Sequence, residues 1–218
     1  MIEPLWKQAD LPSRLAVELT TPGDRSWGRA FAPELSYGRH GGPARDDVRE
    51  AAVILLLYWN GDGWSLPLTV RAATLSRHGG QVSLPGGLID AAETPCEAAA
   101  RELDEELGVR PPLEWLGNLS PQFVYASNAW VVPCVAATMH CPEWKPSPLE
   151  VERVLDLPLA ELLTYSTPPV LQVERGPLRF TAPQLTVEGR SAWGATAVIL
   201  GELRGRLMRL MNAGAVGH

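Results

Sequence analysis

Glu102, Glu105 and Glu106 stand at i, i+3 and i+4, so a helix through them brings three carboxylates onto one face. Like charges so close repel one another. A solvated helix usually interleaves lysine or arginine, and here the nearby cation is Arg101. A hard divalent cation, which takes oxygen ligands, stabilises such a cluster. For any one of these glutamates alone, an ordinary acidic amphipathic helix is the simpler reading.

The element that must carry them is well specified. Thr94-Pro95-Cys96-Glu97 has the form of a capping box with proline at the first helical position, and Gly108 supplies the stop. Cys96, Ala99, Ala100, Leu103 and Leu107 form the expected apolar stripe, with the glutamates lying away from it. Before the helix, Pro85-Gly86-Gly87 lets the backbone pass close to another group, and a glycine carbonyl there is a candidate further ligand. Arg101 is placed to pair with Glu93 in the preceding loop and pin loop to helix.

The whole string from Gly87 to Val109 resembles the Nudix box, G-x5-E-x7-R-E-U-x-E-E-x-G-U with U apolar. Gly87, Glu93, Arg101, Glu102, Leu103, Glu105, Glu106, Gly108 and Val109 satisfy every fixed position. The resemblance implies a Mg²⁺- or Mn²⁺-dependent hydrolase in which Glu102, Glu105, Glu106 and the Gly87 carbonyl hold the metal. Glu93 and Arg101 would support that shell. The proton of the attacking water would go to a glutamate of the cluster or to a loop carboxylate such as Glu150. A helix or loop cap is the competing reading of Glu150.

The box supplies chemistry rather than substrate. Upstream, Leu68 to Gly87 resembles the motif of coenzyme A pyrophosphatases, roughly L-T-x-R-[SA]-x3-R-x3-G-x3-F-P-G-G. Leu68, Thr69, Arg71, Ala72, Gly80, Pro85, Gly86 and Gly87 fit. Ser76 stands where the motif has arginine, with Arg77 one place late, and Leu84 replaces phenylalanine. Ala51 to Ile54, Val131 to Val135, Glu150-Val151 with Leu157-Pro158-Leu159, and Trp193 to Ala197 are similar to further segments of that subfamily. Near Ser127-Asn128-Ala129 the subfamily more often has S-G-F. The implied substrate is coenzyme A or an acyl-CoA, with Arg71, Arg77 and His78 as phosphate-binding candidates. A surface basic cluster beside an acidic helix is the alternative for those three. Other nucleoside diphosphate derivatives (ADP-ribose, a dinucleotide, a nucleoside triphosphate) form the runner-up class, and a non-catalytic binding module the third.

Composition narrows the classes. A chain of 218 residues with 45% hydrophobic and 20% charged residues has the profile of a soluble globular protein with one ample core. The apolar run Ala51 to Trp59 is too short to cross a bilayer, and the start lacks a basic, apolar signal, so a cytoplasmic location is expected. A net charge of −6 argues against nucleic-acid or anionic-membrane partners and leaves a small-molecule partner; a homodimer stays open. Cys96, Cys134 and Cys141 lack C-x-x-C spacing and read as reduced thiols.

Along the chain, 1–44 reads as an N-terminal extension, helical within Glu3 to Leu19 and loop at Tyr37 to Pro43. Positions 45–212 read as the catalytic domain, and 213–218 as a flexible tail. Strands are expected at Ala51–Tyr58 and Leu66–Arg71, around an Asn60-Gly61-Asp62-Gly63 turn. Further strands are expected at Leu113–Leu119, Phe123–Tyr125, Ala129–Met139, Val170–Val173, Leu178–Thr181 and Leu185–Val187. Helices are expected at Leu159–Leu163 and at Ala195–Leu210, the latter weakened by Gly201 and Gly205. Such a pattern fits an α+β or a layered α/β/α domain. The resemblance implies the latter, a Nudix-type α/β/α sandwich with a mixed sheet between helices.

Overall fold

The apolar run that opens the domain is buried on both faces. In a computed structural model describing residues 3–33, 44–75, 78–175 and 178–215, it forms β1 (Arg49–Trp59). Ala52, Ile54 and Leu56 pack into one core cluster, while Ala51, Leu55 and Leu57 pack into another. A strand with both faces covered reads as a continuous apolar run.

β1 pairs in parallel with β7 (Ala129–Thr138), from Arg49 opposite Ala129 to Tyr58 opposite Thr138. At its far end β1 turns through Asn60–Gly63 into antiparallel β2 (Trp64–Arg71), where Asn60 Oδ1 accepts hydrogen bonds from the Asp62 and Gly63 amides. The short strands β3 (Val82–Ser83) and β4 (Gly86–Leu88) pair with β2 and β1 respectively. β5 (Glu114–Asn118) and β6 (Gln122–Val124) both pair with β7. β8 (Val151–Pro158) pairs with β2. The result is one eight-stranded mixed sheet.

Three further strands, β9 (Val170–Arg175), β10 (Leu178–Val187) and β11 (Arg190–Trp193), form a small antiparallel sheet. The two strands expected at Leu178–Thr181 and Leu185–Val187 are one. Pro183 sits where β10 leaves Val170 of β9 and takes up Trp193 of β11, so the missing amide falls at the handover. β8 sets Glu152-Arg153 and Val154-Leu155 side by side, so no period of two marks it as a strand in the sequence.

The helices close both faces. α3 (Pro95–Leu107) packs its Ala99, Leu103 and Leu107 onto Ala52, Ile54 and Leu56. On the other face lie α1 (Leu11–Leu19), α2 (Arg25–Arg29), α4 (Leu159–Thr164) and α5 (Ala195–Ala215). The mixed sheet between helices is the expected fold class. α5 runs into the region expected as a tail, and 216–218 lie outside the described residues. So do the Tyr37 to Pro43 loop and Arg77.

The N-terminal segment is built into the core rather than appended to it. Leu11 and Leu15 are fully buried, and the Trp64 indole donates to the Gln8 carbonyl at 2.9 Å. Gly201 and Gly205, which weaken α5 as an isolated helix, lie against aromatic rings of this segment. A Cβ at Gly201 would collide with the Phe31 ring, and one at Gly205 with the Trp27 ring. The Arg206 and Arg209 guanidiniums stand 5.9 and 5.0 Å from the centre of the Trp27 ring, and Arg206 donates to the Glu18 and Thr21 carbonyls at 2.8 Å. Among the described residues no helix is long and apolar enough to cross a membrane.

Candidate active site

α3 starts and stops as its residues dictate. The Thr94 hydroxyl accepts from the Glu97 amide, the Glu97 carboxylate accepts from the Thr94 amide, and Gly108 adopts φ 64° at the C-terminus. Helical spacing then sorts the three glutamates by depth. The Glu105 side chain is half exposed, that of Glu102 is mostly covered, and Glu106 is 2% exposed. The expectation that all three lie away from the apolar stripe is therefore corrected for Glu106. It sits between Glu102 and Ala99 around the helix, at the edge of the buried face, and Ala98 joins that face while Ala100 is only half-buried.

Burial pushes the Glu106 carboxyl up to about 8; nearby Arg71 opposes the rise, and Glu102 and Glu150 add to it. Burial also raises Glu102, against the pull of Arg101. Arg71 Nη1 lies 3.4 Å from Glu106 Oε1, while Glu106 Oε2 is buried with no hydrogen-bond partner among the described residues. A buried carboxylate oxygen without a partner is costly unless a cation or proton meets it.

Arg101 gathers the loop and the helix. Its Nε donates to Glu93 Oε1 at 2.9 Å, and its Nη2 donates to the Leu88 carbonyl at 2.9 Å. Its Nη1 donates to Glu102 Oε1 at 2.8 Å and to Glu105 Oε2 at 3.0 Å. The Arg101 hydrogen bond holds Glu93 below the usual carboxylate range.

Gly87 belongs to the same constellation. A Cβ there would strike the Glu102 carboxylate, and one at Gly86 would strike the β1 backbone at Ala52 and Val53. Only a glycine pair lets β4 lie this close to both. Glu150 occupies the turn before β8, where its amide donates to the Ser147 carbonyl and its own carbonyl accepts from the Ala72 amide at 2.8 Å. Its charge reaches Glu102 and Glu106 and raises both.

The donor set is all oxygen, matching a hard divalent cation, and the unpartnered Glu106 Oε2 is where such an ion would be met. Among the described residues, no three acidic, histidine or cysteine side chains are gathered as a ready cage, because the Arg101 guanidinium bonds to both Glu102 and Glu105. Holding a cation through all three glutamates requires Arg101 Nη1 to give way while Nε keeps Glu93.

A cavity of about 800 Å³ opens beside this cluster. Arg71, His78, Gly86 and Gly87 line one part of it, and Phe123 and Trp193 another. His78 has φ 59°, and its Nδ1 is 2.9 Å from Gln81 Oε1. The structure thus brings Arg71 and His78 to the same cavity as Gly87.

One wall comes from residues outside every motif of the sequence. Gly28, Arg29, Ala32 and Pro33 line the same cavity from the N-terminal segment. The available signal was a matched spacing: Trp27 and Phe31 four apart, and Gly201 and Gly205 four apart.

The NUDIX domain model matches residues 48–170. The uncharacterized Nudix hydrolase NudL of Photorhabdus laumondii is 32% identical over 161 residues, covering 72% of this chain and 84% of that protein. The uncharacterized NudL of Salmonella paratyphi B is 34% identical over 139 residues, covering 63% of this chain and 72% of its own. Among solved structures, a Nudix hydrolase from M. smegmatis, RenU, aligns with a TM-score of 0.48 at 18% identity, over 78% of this chain and 88% of that one.

Proposed function

The chain belongs to the Nudix family and is a hydrolase of the pyrophosphatase kind, and from that premise we propose that it cleaves the diphosphate of coenzyme A or an acyl-CoA. The products are 3′,5′-ADP and 4′-phosphopantetheine or its acyl form. The observation that carries this reading is the wall of the cavity. Arg71, Ser83, Leu84, Gly86 and Gly87, all from the stretch that resembles the coenzyme A motif, line it together.

Nudix hydrolases generally use divalent metal ions, and the ion proposed here is Mg²⁺ or Mn²⁺, held by Glu102, Glu105, Glu106 and the Gly87 carbonyl. When bound, it neutralises diphosphate charge and lowers the pKa of a water. The chain's own groups do the rest. Arg71, beside Glu106 and on the cavity wall, would bind the diphosphate. Glu93 and Arg101 hold the Gly87 loop against α3. Glu150, or a glutamate of the cluster, accepts the proton of the attacking water.

A panel of coenzyme A, NADH, ADP-ribose and nucleoside triphosphates, each incubated with Mg²⁺, tests the reading. Coenzyme A should be the best substrate. Faster turnover of ADP-ribose or a triphosphate would replace coenzyme A with another nucleoside diphosphate derivative. Failure to turn over any of them would favour a binding module, against which the complete glutamate set argues.

A further inference from the structure

Coenzyme A carries three phosphates, and the metal cluster accounts for two. The two cations at that cluster are already committed, Arg101 to Glu93, Glu102 and Glu105, and Arg71 to Glu106. The third phosphate needs a separate cation on the same cavity. Arg29 lines it from the N-terminal segment, in the last turn of α2. Its side chain is exposed and makes no ion pair among the described residues.

Arg29 is held in place by its neighbours. Trp27 packs on Gly205 beneath the Arg206 and Arg209 guanidiniums, and Phe31 packs on Gly201. Gly28 also approaches α5, since a Cβ there would lie 3.0 Å from Val198 Cγ1 and from the Val198 carbonyl oxygen. Contacts with Val198, Gly201 and Gly205, on successive turns of α5, therefore fix the backbone that carries Arg29. The acidic group nearby is Glu202, which also lines the cavity. Its carboxylate is occupied by the Ser120 amide and hydroxyl and by Arg206. It does not neutralise Arg29.

We infer that Arg29 is a specificity-determining residue that takes the phosphate monoester on the nucleoside end of the substrate, away from the metal cluster. The inference rests on the coenzyme A reading. A guanidinium carried on a fixed backbone suits a phosphate monoester, because its planar fork makes two parallel hydrogen bonds. It also gives the N-terminal segment a role, as the wall that selects the substrate.

The test compares coenzyme A with dephospho-coenzyme A, which lacks that monoester, using the full chain with Mg²⁺. The wild type should favour coenzyme A by at least about tenfold in kcat/KM, the equivalent of one charge-assisted contact. Arg29→Gln should bring that ratio to within about twofold of one, chiefly through KM for coenzyme A. Arg29→Lys should restore part of it, since the charge returns without the fork. An unchanged ratio in Arg29→Gln overturns the inference and leaves coenzyme A as the substrate. Equal use of both compounds by the wild type does the same. Failure of the wild type to cleave either compound overturns the substrate reading, and the inference with it.

Discussion

Arg71 Nη1 stands 3.4 Å from Glu106 Oε1, and the other oxygen of that carboxylate is buried with no partner among the described residues. One arginine half-neutralises a group that the fold has taken out of water. The site is therefore electrostatically incomplete by itself.

The first concerns stability without metal. Glu106 titrates at about 8 in the folded chain against an ordinary value of 4.5. Its folded pKa is raised, so the stability it contributes is fully present below about pH 4.5 and lost as pH rises through about 8. Glu106→Gln removes this loss. Above pH 8 the metal-free variant should melt higher than the metal-free wild type, by about 2–4 °C for each kcal/mol in a domain of this size. Added Mg²⁺ or Mn²⁺ should raise the wild-type melting temperature and leave the variant nearly unmoved. Parallel melting curves at pH 6 and pH 9 would remove Glu106 from the account.

The second concerns Arg101, which joins Glu93, the Leu88 carbonyl, Glu102 and Glu105. Arg101→Ala frees the Gly87 loop while leaving every proposed metal ligand in the chain. Activity should fall by ~10–100-fold, as for other supports of a metal shell. A wild-type rate in this variant would mean that the loop is held by other contacts.

The third concerns Gly87, which has the Glu102 carboxylate in the space a side chain would need. Gly87→Ala must displace one or the other. A shift of about 1 Å at a catalytic group costs about 100-fold. The check is kcat/KM together with a melting curve, and a fold that persists with activity lost is the expected pair.

The fourth turns on a sign. Glycine inside an exposed helix is worse than alanine by about 1 kcal/mol, so Gly205→Ala should stabilise an isolated α5. In this fold the new methyl enters the Trp27 ring, and overpacking costs about 1–3 kcal/mol. The second effect is the larger, so urea unfolding should show net destabilisation. Stabilisation would mean that α2 does not lie on α5.

These cases separate what was legible in the sequence from what was not. β1, β2, β7 and α3 were readable because their signals are local: a continuous apolar run, a turn of Asn60 to Gly63, a capping box. The gathering of Glu93, Arg101 and the glutamates near Gly87 followed from helical spacing and from the family motif. The depth of Glu106 is not legible, because it depends on where the sheet meets the helix. Nor is β8, whose apolar face is completed only by pairing with β2. The wall formed by Gly28 to Pro33 is hidden for the same kind of reason. Trp27 and Phe31 reveal nothing until Gly201 and Gly205, some 170 residues later, lie against them.

The most direct test of the central claim is the identity of the products formed from coenzyme A. Purified chain, coenzyme A and Mg²⁺ should yield 3′,5′-ADP and 4′-phosphopantetheine in equal amounts. The reaction should stop on chelation with EDTA and resume when Mg²⁺ or Mn²⁺ is restored. Intact coenzyme A under conditions where ADP-ribose or a nucleoside triphosphate is consumed would contradict the substrate. Undiminished product formation in EDTA would contradict the mechanism.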